Sequence, residues 1–144
     1  MPDFAGRIGV VTGASRGIGR AIADTLAKSG ADLALASRSE EGVQQAASEI
    51  RSLGVKARAY SCDVSSYDDA AALAQRVIDD LGTPDFLVNN AGIVIDKLLL
   101  RMTPDDWGKV ISTNLTGVYN VTKAFSPHFL KARRGRIVNI SSVP

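Results

Sequence analysis

VVTGASRGIG, residues 10–19, sets three glycines, Gly13, Gly17 and Gly19, between an apolar run and a segment of helical period. Residues 8–11 read as a buried strand, and Ile18, Ile22 and Leu26 then fall on one stripe of a helix that Gly30 ends. The spacing Gly-x3-Gly-x-Gly allows a tight turn and close backbone approach, so a pyrophosphate can lie against free amides at the positive end of the helix. Glycine also serves plain turns and tight helix packing. The strand before and the helix after favour the nucleotide reading.

Outward from that loop the alternation repeats. Residues 32–37 (DLALAS) form a second strand, followed by a helix carrying Val43, Ala47 and Ile50 and closed by Gly54. KARAYSCDV supplies a third strand, and Ala70, Leu73, Ala74, Val77, Ile78 and Leu81 give a third helix stopped by Gly82. DFLVNNAG is a fourth strand whose apolar run breaks at Asn89. Thr103, Pro104, Asp105 and Asp106 make a helix start: a capping hydroxyl, proline at the first helical position, and two acids at the positive end. That helix is expected to run to about Lys131, with Pro127 bending or loosening its last turns. Residues 136–140 are the fifth strand.

Five strands of continuous apolar character alternating with helices predict an α/β fold, a doubly wound parallel sheet with helices on both faces (a Rossmann fold). Right-handed crossovers give the strand order 3-2-1-4-5, which makes the fifth strand an edge. Its Ile-Val-Asn-Ile run, uncharged past Arg136, is expected to need more chain or a partner to cover it. No linker or repeat divides the sequence, so residues 1–144 are expected to form one dinucleotide-binding domain.

Composition narrows the function. Apolar residues are 45% and charged ones 22%, ordinary for a globular chain. A net charge of +2 argues against nucleic acid or a membrane surface as partner. The single Cys62 and single His128 allow no internal disulfide and leave no expected metal site. The opening segment carries Asp3 and too short an apolar run for a signal or a span, so a cytoplasmic protein is expected.

The end of the second strand bears on which nucleotide binds. An acid there would hold a ribose 2′-hydroxyl, whereas a 2′-phosphate needs cations. Ser37 and Arg38 occupy the place, no acid comes before Glu40, and Arg16 in the glycine loop adds a second guanidinium. NADPH is therefore the expected cofactor, because guanidinium binds phosphate through paired hydrogen bonds. The alternative is that Arg38 is a solvated loop charge.

TGASRGIG, CDV (residues 62–64), NNAG (89–92), TNL (113–115) and GRIVNISS (135–142), in this order and spacing, resemble the classical short-chain dehydrogenase/reductase family over the whole sequence. Residues 91–107 are further similar to the 3-oxoacyl-[acyl-carrier-protein] reductase branch. The resemblance implies that Gly13, Ala14, Ser15, Arg16, Gly17, Ile18 and Gly19 hold the cofactor with Ser37 and Arg38. It implies further that Asp63 and Val64 border the adenine and that Asn90, Ala91 and Gly92 line the cofactor. Asn114 would hold a water in a proton relay, and Ser142 would hydrogen-bond a ketone substrate. Read without the family, Asp63 caps a turn, Asn114 is a packing amide, and Ser141 and Ser142 are loop hydroxyls.

The family pattern also calls for a Tyr followed four residues later by a Lys, about a dozen residues beyond the Ser, as proton donor. No such pair follows Ser142 here. The expectation is an amino-terminal portion, truncated or incomplete, lacking that helix, two strands and the substrate-covering segment, and inactive alone. Tyr119 and Lys123 match the spacing literally. They precede Ser142, however, and five residues at about 100° each put Tyr119 about 140° around the helix from Asn114, so they read as helix surface. The basic run KARRGR suits a helix carboxyl end, and by resemblance Arg133 would help dock an acidic carrier protein. The family also implies a tetramer. A different reading is a non-catalytic dinucleotide-binding module that docks a partner through its edge strand.

Overall fold

The computed structural model describes residues 3–142. Short strands with apolar side chains on both faces form one parallel sheet: β1 (Ile8–Thr12), β2 (Asp32–Ser37), β3 (Ala57–Ser61), β4 (Phe86–Asn89) and β5 (Arg136–Asn139). Their order is β3-β2-β1-β4-β5 with every neighbouring pair parallel, the order expected from the sequence. Alternate side chains go to opposite faces. Val11, Leu33, Leu35 and Val88 pack with α1 (Gly17–Lys28) and α2 (Glu40–Arg51), while Val10, Ala34, Ala36, Tyr60 and Leu87 pack with α3 (Tyr67–Leu81) and α5 (Gly117–Ala132). The chain is thus a doubly wound α/β sheet.

The expected stripe on α1 is corrected. Gly19, Ala23 and Ala27 face the sheet, Ile22 and Leu26 are half-buried, and Ile18 is 65% exposed. Small residues let the helix axis approach the strands closely, which pushes the larger side chains to the flanks.

The single helix expected from Thr103 to Lys131 is also corrected. α4 (Pro104–Ile111) passes through a π-helical turn, Ser112–Thr116, into α5. Both sides of that turn are pinned. Thr103 and Asp106 form a reciprocal capping box on α4, while on α5 Gly117 presses so close to Val64 that a Cβ would stand 2.6 Å from Val64 Cγ2. Asn120 Nδ2 also donates to the Val64 carbonyl (2.9 Å). A wider turn absorbs the mismatch between two fixed ends. Pro127 does not loosen the end: α5 continues to Ala132, and Ser126 Oγ donates to the Thr122 carbonyl (2.6 Å) beside the missing amide.

At the amino ends of the strands Asp85 joins three elements. Its carboxylate accepts the Ile8 amide (2.9 Å) and pairs with Arg7 (3.4 Å) and Arg134 (3.3 Å). All four β5 residues are exposed, as an uncovered edge implies. Among the described residues no helix is long and apolar enough to cross a membrane, and no group of three or more potential ligands is placed to hold a metal ion.

Candidate functional site

The carboxyl ends of β1, β2 and β4 open into a cavity of about 610 Å³. The β1–α1 loop contributes Gly13, Ser15, Arg16 and Gly17, and the β2–α2 junction contributes Ser37, Arg38, Ser39 and Gly42. Cys62 and Val64 follow β3, Asn90 to Ile93 follow β4, and Thr113 comes from the π turn.

Close backbone packing builds the loop. Gly13 has φ +64°, and a Cβ there would stand 2.9 Å from Ala91 Cα. A Cβ on Gly19 would lie 2.2 Å from the Gly13 carbonyl oxygen and 2.4 Å from Asn90 Nδ2, so only glycine fits. Asn90 Nδ2 donates to the carbonyls of Thr12 (3.2 Å) and Gly13 (3.3 Å). Thr12 Oγ1 accepts the amides of Asn90 and Ala91, both at 3.0 Å. Together they clamp the glycine loop to the exit of β4. Sequence reasoning missed Thr12; its signal was its place at the head of the TGASRGIG motif.

The amino end of α1 is left open. Its cap position is Arg16, whose side chain makes no capping bond, and no acid stands in the first turn. By contrast Ser39, Ser66 and Thr103 cap α2, α3 and α4, each followed by two acids. Arg16 and Arg38 line the cavity, and no carboxylate among the described residues joins them. The Ser37 hydroxyl donates to Ser15 Oγ (3.1 Å) and accepts the Ser39 amide (3.2 Å), tying the glycine loop to the end of β2. A helix end and two guanidinium groups with no carboxylate beside them make this wall electropositive.

Other expected residues are distributed unevenly. Val64, Asn90, Ala91 and Gly92 line the cavity; Ala14 is buried, its amide bonded to the Ala36 carbonyl (3.1 Å), and Ile18 is solvent-facing beside the loop. Asp63 is not among the lining residues. Its carboxylate accepts the amide (3.0 Å) and hydroxyl (2.7 Å) of Ser65, closing the turn into α3. Asn114 holds Ile93 at both ends: Oδ1 accepts its amide (2.8 Å) and Nδ2 donates to its carbonyl (2.9 Å). Ser142 lies past β5 at the same end of the sheet, outside the cavity wall. Burial, and then the nearby Asp69 and Asp63, pushes the Cys62 thiol up to about 11, so it stays protonated and serves as apolar wall.

Two features of the sequence fall elsewhere. Lys123 Nζ sits 5.8 Å from the Tyr119 ring and 5.1 Å from the Tyr67 ring, on the α3–α5 surface. Arg133 ends α5 in the left-handed conformation (φ 55°). Its neighbour Arg134 reaches Asp85, which places Arg133 at the sheet end opposite the cavity.

A family model described as short chain dehydrogenase matches residues 7–144. The chain belongs to the short-chain dehydrogenase family. It is 44% identical over 141 residues to the 3-oxoacyl-[acyl-carrier-protein] reductase of Vibrio harveyi, covering 98% of this chain and 57% of that protein. The corresponding reductase of Staphylococcus aureus (strain Mu50) is 44% identical over 135 residues, 93% of this chain and 55% of its own length. This short-chain dehydrogenase chain therefore spans somewhat over half the length of the curated relatives it matches. Among solved structures, a metagenomic short-chain oxidoreductase in complex with NADP superposes with TM-score 0.91 at 42% identity, covering 98% of this chain and 64% of that one. NAD+-bound xylitol dehydrogenase superposes with TM-score 0.93 at 38% identity, covering 96% and 54%. These structural neighbours thus hold NADP in one case and NAD+ in the other.

Proposed function

We propose that residues 1–144 are the dinucleotide-binding domain of a cytoplasmic, NADPH-dependent reductase that converts a ketone to an alcohol, with a 3-oxoacyl thioester as substrate. The observation that carries this reading is the open, acid-free amino end of α1 facing a cavity with two guanidinium groups. The residues fit the cofactor: the glycines leave room for a pyrophosphate against the α1 amides, and Arg16 and Arg38 suit a ribose 2′-phosphate. The thioester follows from the named activity of the 44%-identical relatives.

Bound NADPH supplies a hydride. The chain's own residues bind and orient. Asn90 and Thr12 fix the loop, and Gly92 and Ile93 form the wall toward the reacting end. Asn114 positions that wall, and its carboxamide keeps a second lone pair and a second proton with which to hold a relay water. Ser142 would donate a hydrogen bond to the ketone oxygen. Asp63 shapes the adenine border through its turn, with Val64 as the contact. Docking of a carrier protein at Arg133 would be remote from the chemistry, an effect on binding alone.

A homo-oligomer is part of this reading. Large exposed apolar side chains concentrate after Gly92, including Leu98, Leu99, Leu100, Trp107, Leu115 and Leu130. Such a surface is what subunit association covers.

Following NADPH consumption with an acetoacetyl thioester tests the assignment. The 144-residue chain, which has no Tyr-x3-Lys after Ser142, should bind NADPH and show no turnover above buffer. Coding sequence continuing past residue 144 into Tyr-x3-Lys would support the reductase. Robust turnover by the 144 residues alone would overturn the assigned roles.

A further inference from the structure

The outer edge of the sheet opposite β5 carries a second recess, of about 750 Å³, that shares no lining residue with the cofactor cavity. It runs along β3 between α2 and α3. Arg51, Lys56, Arg58 and Arg76 line it against one carboxylate, Asp80. That local charge of +3 exceeds the +2 of the entire chain.

Three of these four cations, Arg51, Arg58 and Arg76, are held in place. The Tyr60 hydroxyl donates to Asp80 Oδ2 (2.8 Å), and Asp80 pairs with Arg58 Nη2 at 3.4 Å. The Arg76 guanidinium lies over the Tyr60 ring, 5.0 Å from its centroid. Arg51 Nη1 donates to the Ala57 carbonyl (2.7 Å). All four basic side chains belong to exposed residues. Fixing long side chains beforehand lowers the entropy lost when an anion binds.

The strand beneath them has one free side, since among the described residues β3 pairs with β2 alone. The Lys56 carbonyl accepts the Leu33 amide (2.9 Å), and the Cys62 amide donates to the Ser37 carbonyl (3.0 Å). In a parallel ladder the even residues from 56 to 62 therefore face β2, and Ala57, Ala59 and Ser61 turn their main-chain groups outward. The Ala57 carbonyl is taken by Arg51. Ala59 presents both an N–H and a C=O.

We propose that this edge docks an acidic polypeptide segment in extended conformation, which pairs with β3 as an added strand and sets carboxylates against Arg58, Arg76, Lys56 and Arg51. Two features select that occupant. A phosphate can only accept, whereas Ala59 asks for a donor and an acceptor together, which another backbone supplies. A second copy of this edge would bring +3 against +3, so self-pairing is disfavoured. The cations that guard the edge against its own kind admit an acidic strand.

Fluorescence anisotropy of the whole chain with a labelled peptide of about nine residues, alternating Thr and Glu, tests this. Saturable binding is expected, weakened at least about tenfold by Arg58→Gln combined with Arg76→Gln. The double variant should keep its NADPH affinity, which reports an intact fold. Exchange of the Ala59 and Ser61 amides should slow on binding. An alternating Thr-Lys peptide, and a Thr-Glu peptide N-methylated on its pairing face, should both fail to bind. Three results would overturn the proposal: no saturable binding, equal binding of the N-methylated or lysine peptide, or displacement by inorganic tripolyphosphate with amide exchange unaffected throughout.

Discussion

The amino ends of α1 and α4 are made from opposite chemistry. At α4, Thr103 Oγ1 accepts the Asp106 amide (3.1 Å), Asp106 Oδ2 accepts the Thr103 amide (3.0 Å), and Pro104 removes a donor. Lys97 Nζ then closes on Asp106 at 2.8 Å. The positive end of that helix is answered within its own sequence, and α2 and α3 follow the same plan with Ser39 and Ser66. α1 has glycines where the others have acids, and its cap residue is an arginine. A helix end that its own chain leaves unanswered is available to a ligand's charge. On the function proposed above, the difference marks the α1 end as the cofactor's place by what α1 withholds.

The largest effect should come from closing the open end sterically. Gly19→Ala forces a methyl group into the Gly13 carbonyl and the Asn90 amide, and NADPH affinity should fall about a hundredfold by calorimetry. An unchanged affinity would show that the loop is not the phosphate site. Next is closing it electrostatically. Ile18 is exposed, so Ile18→Glu places an acid in the first turn without disturbing packing. It should raise the stability of the unliganded chain by about 0.3–1 kcal/mol in denaturant titration. At the same time NADPH binding should weaken about tenfold. Effects of the same sign on both readings would break the contrast.

At α4 the opposite is expected. Thr103→Ala should cost about 1 kcal/mol of stability and leave NADPH affinity unchanged. The smallest effect is in pH dependence. The bond from Lys97, and then that from the Thr103 amide, holds the Asp106 carboxyl down to about 2, below its ordinary 3.8. A carboxyl lowered in the folded state contributes stability that is complete above its ordinary value and is lost as pH falls through about 2. Asp106→Asn should flatten the stability profile across that window, as acid titration of the unfolding midpoint would show.

What the sequence disclosed was chiefly local or periodic. The strand order, the glycine loop between β1 and α1, the Thr103 cap and the exposed β5 edge were all legible. Each depends on neighbours in sequence or on a crossover rule. What escaped depends on distant packing. The buried face of α1 is set by how closely Ala23 and Ala27 approach the sheet, which favours small side chains over the Ile18 stripe. The π turn arises because Val64, far away in sequence, holds Gly117 and Asn120 while Thr103 holds α4.

The candidate site divides the same way. Arg16, Arg38 and Asn90 could be placed from motif position, and all three line the cavity. The clamp made by Thr12 could not, because its partners sit 78 and 79 residues away on the exit of β4. Asn114 could be read as a packing amide, but not its partner, Ile93, which its carboxamide grips across 21 residues. The placement of Arg133 at the far end of the sheet depends on the pairing of its neighbour Arg134 with Asp85, 49 residues earlier in the chain.

Isothermal titration of the folded 144-residue chain with NADPH and with NADH tests the central claim, that the cavity formed by the open end of α1, Arg16 and Arg38 welcomes the extra phosphate. NADPH is predicted to bind at least about tenfold more tightly, and Arg38→Ala to erase most of that difference while sparing NADH. Tighter binding of NADH, or no binding of either, would contradict it.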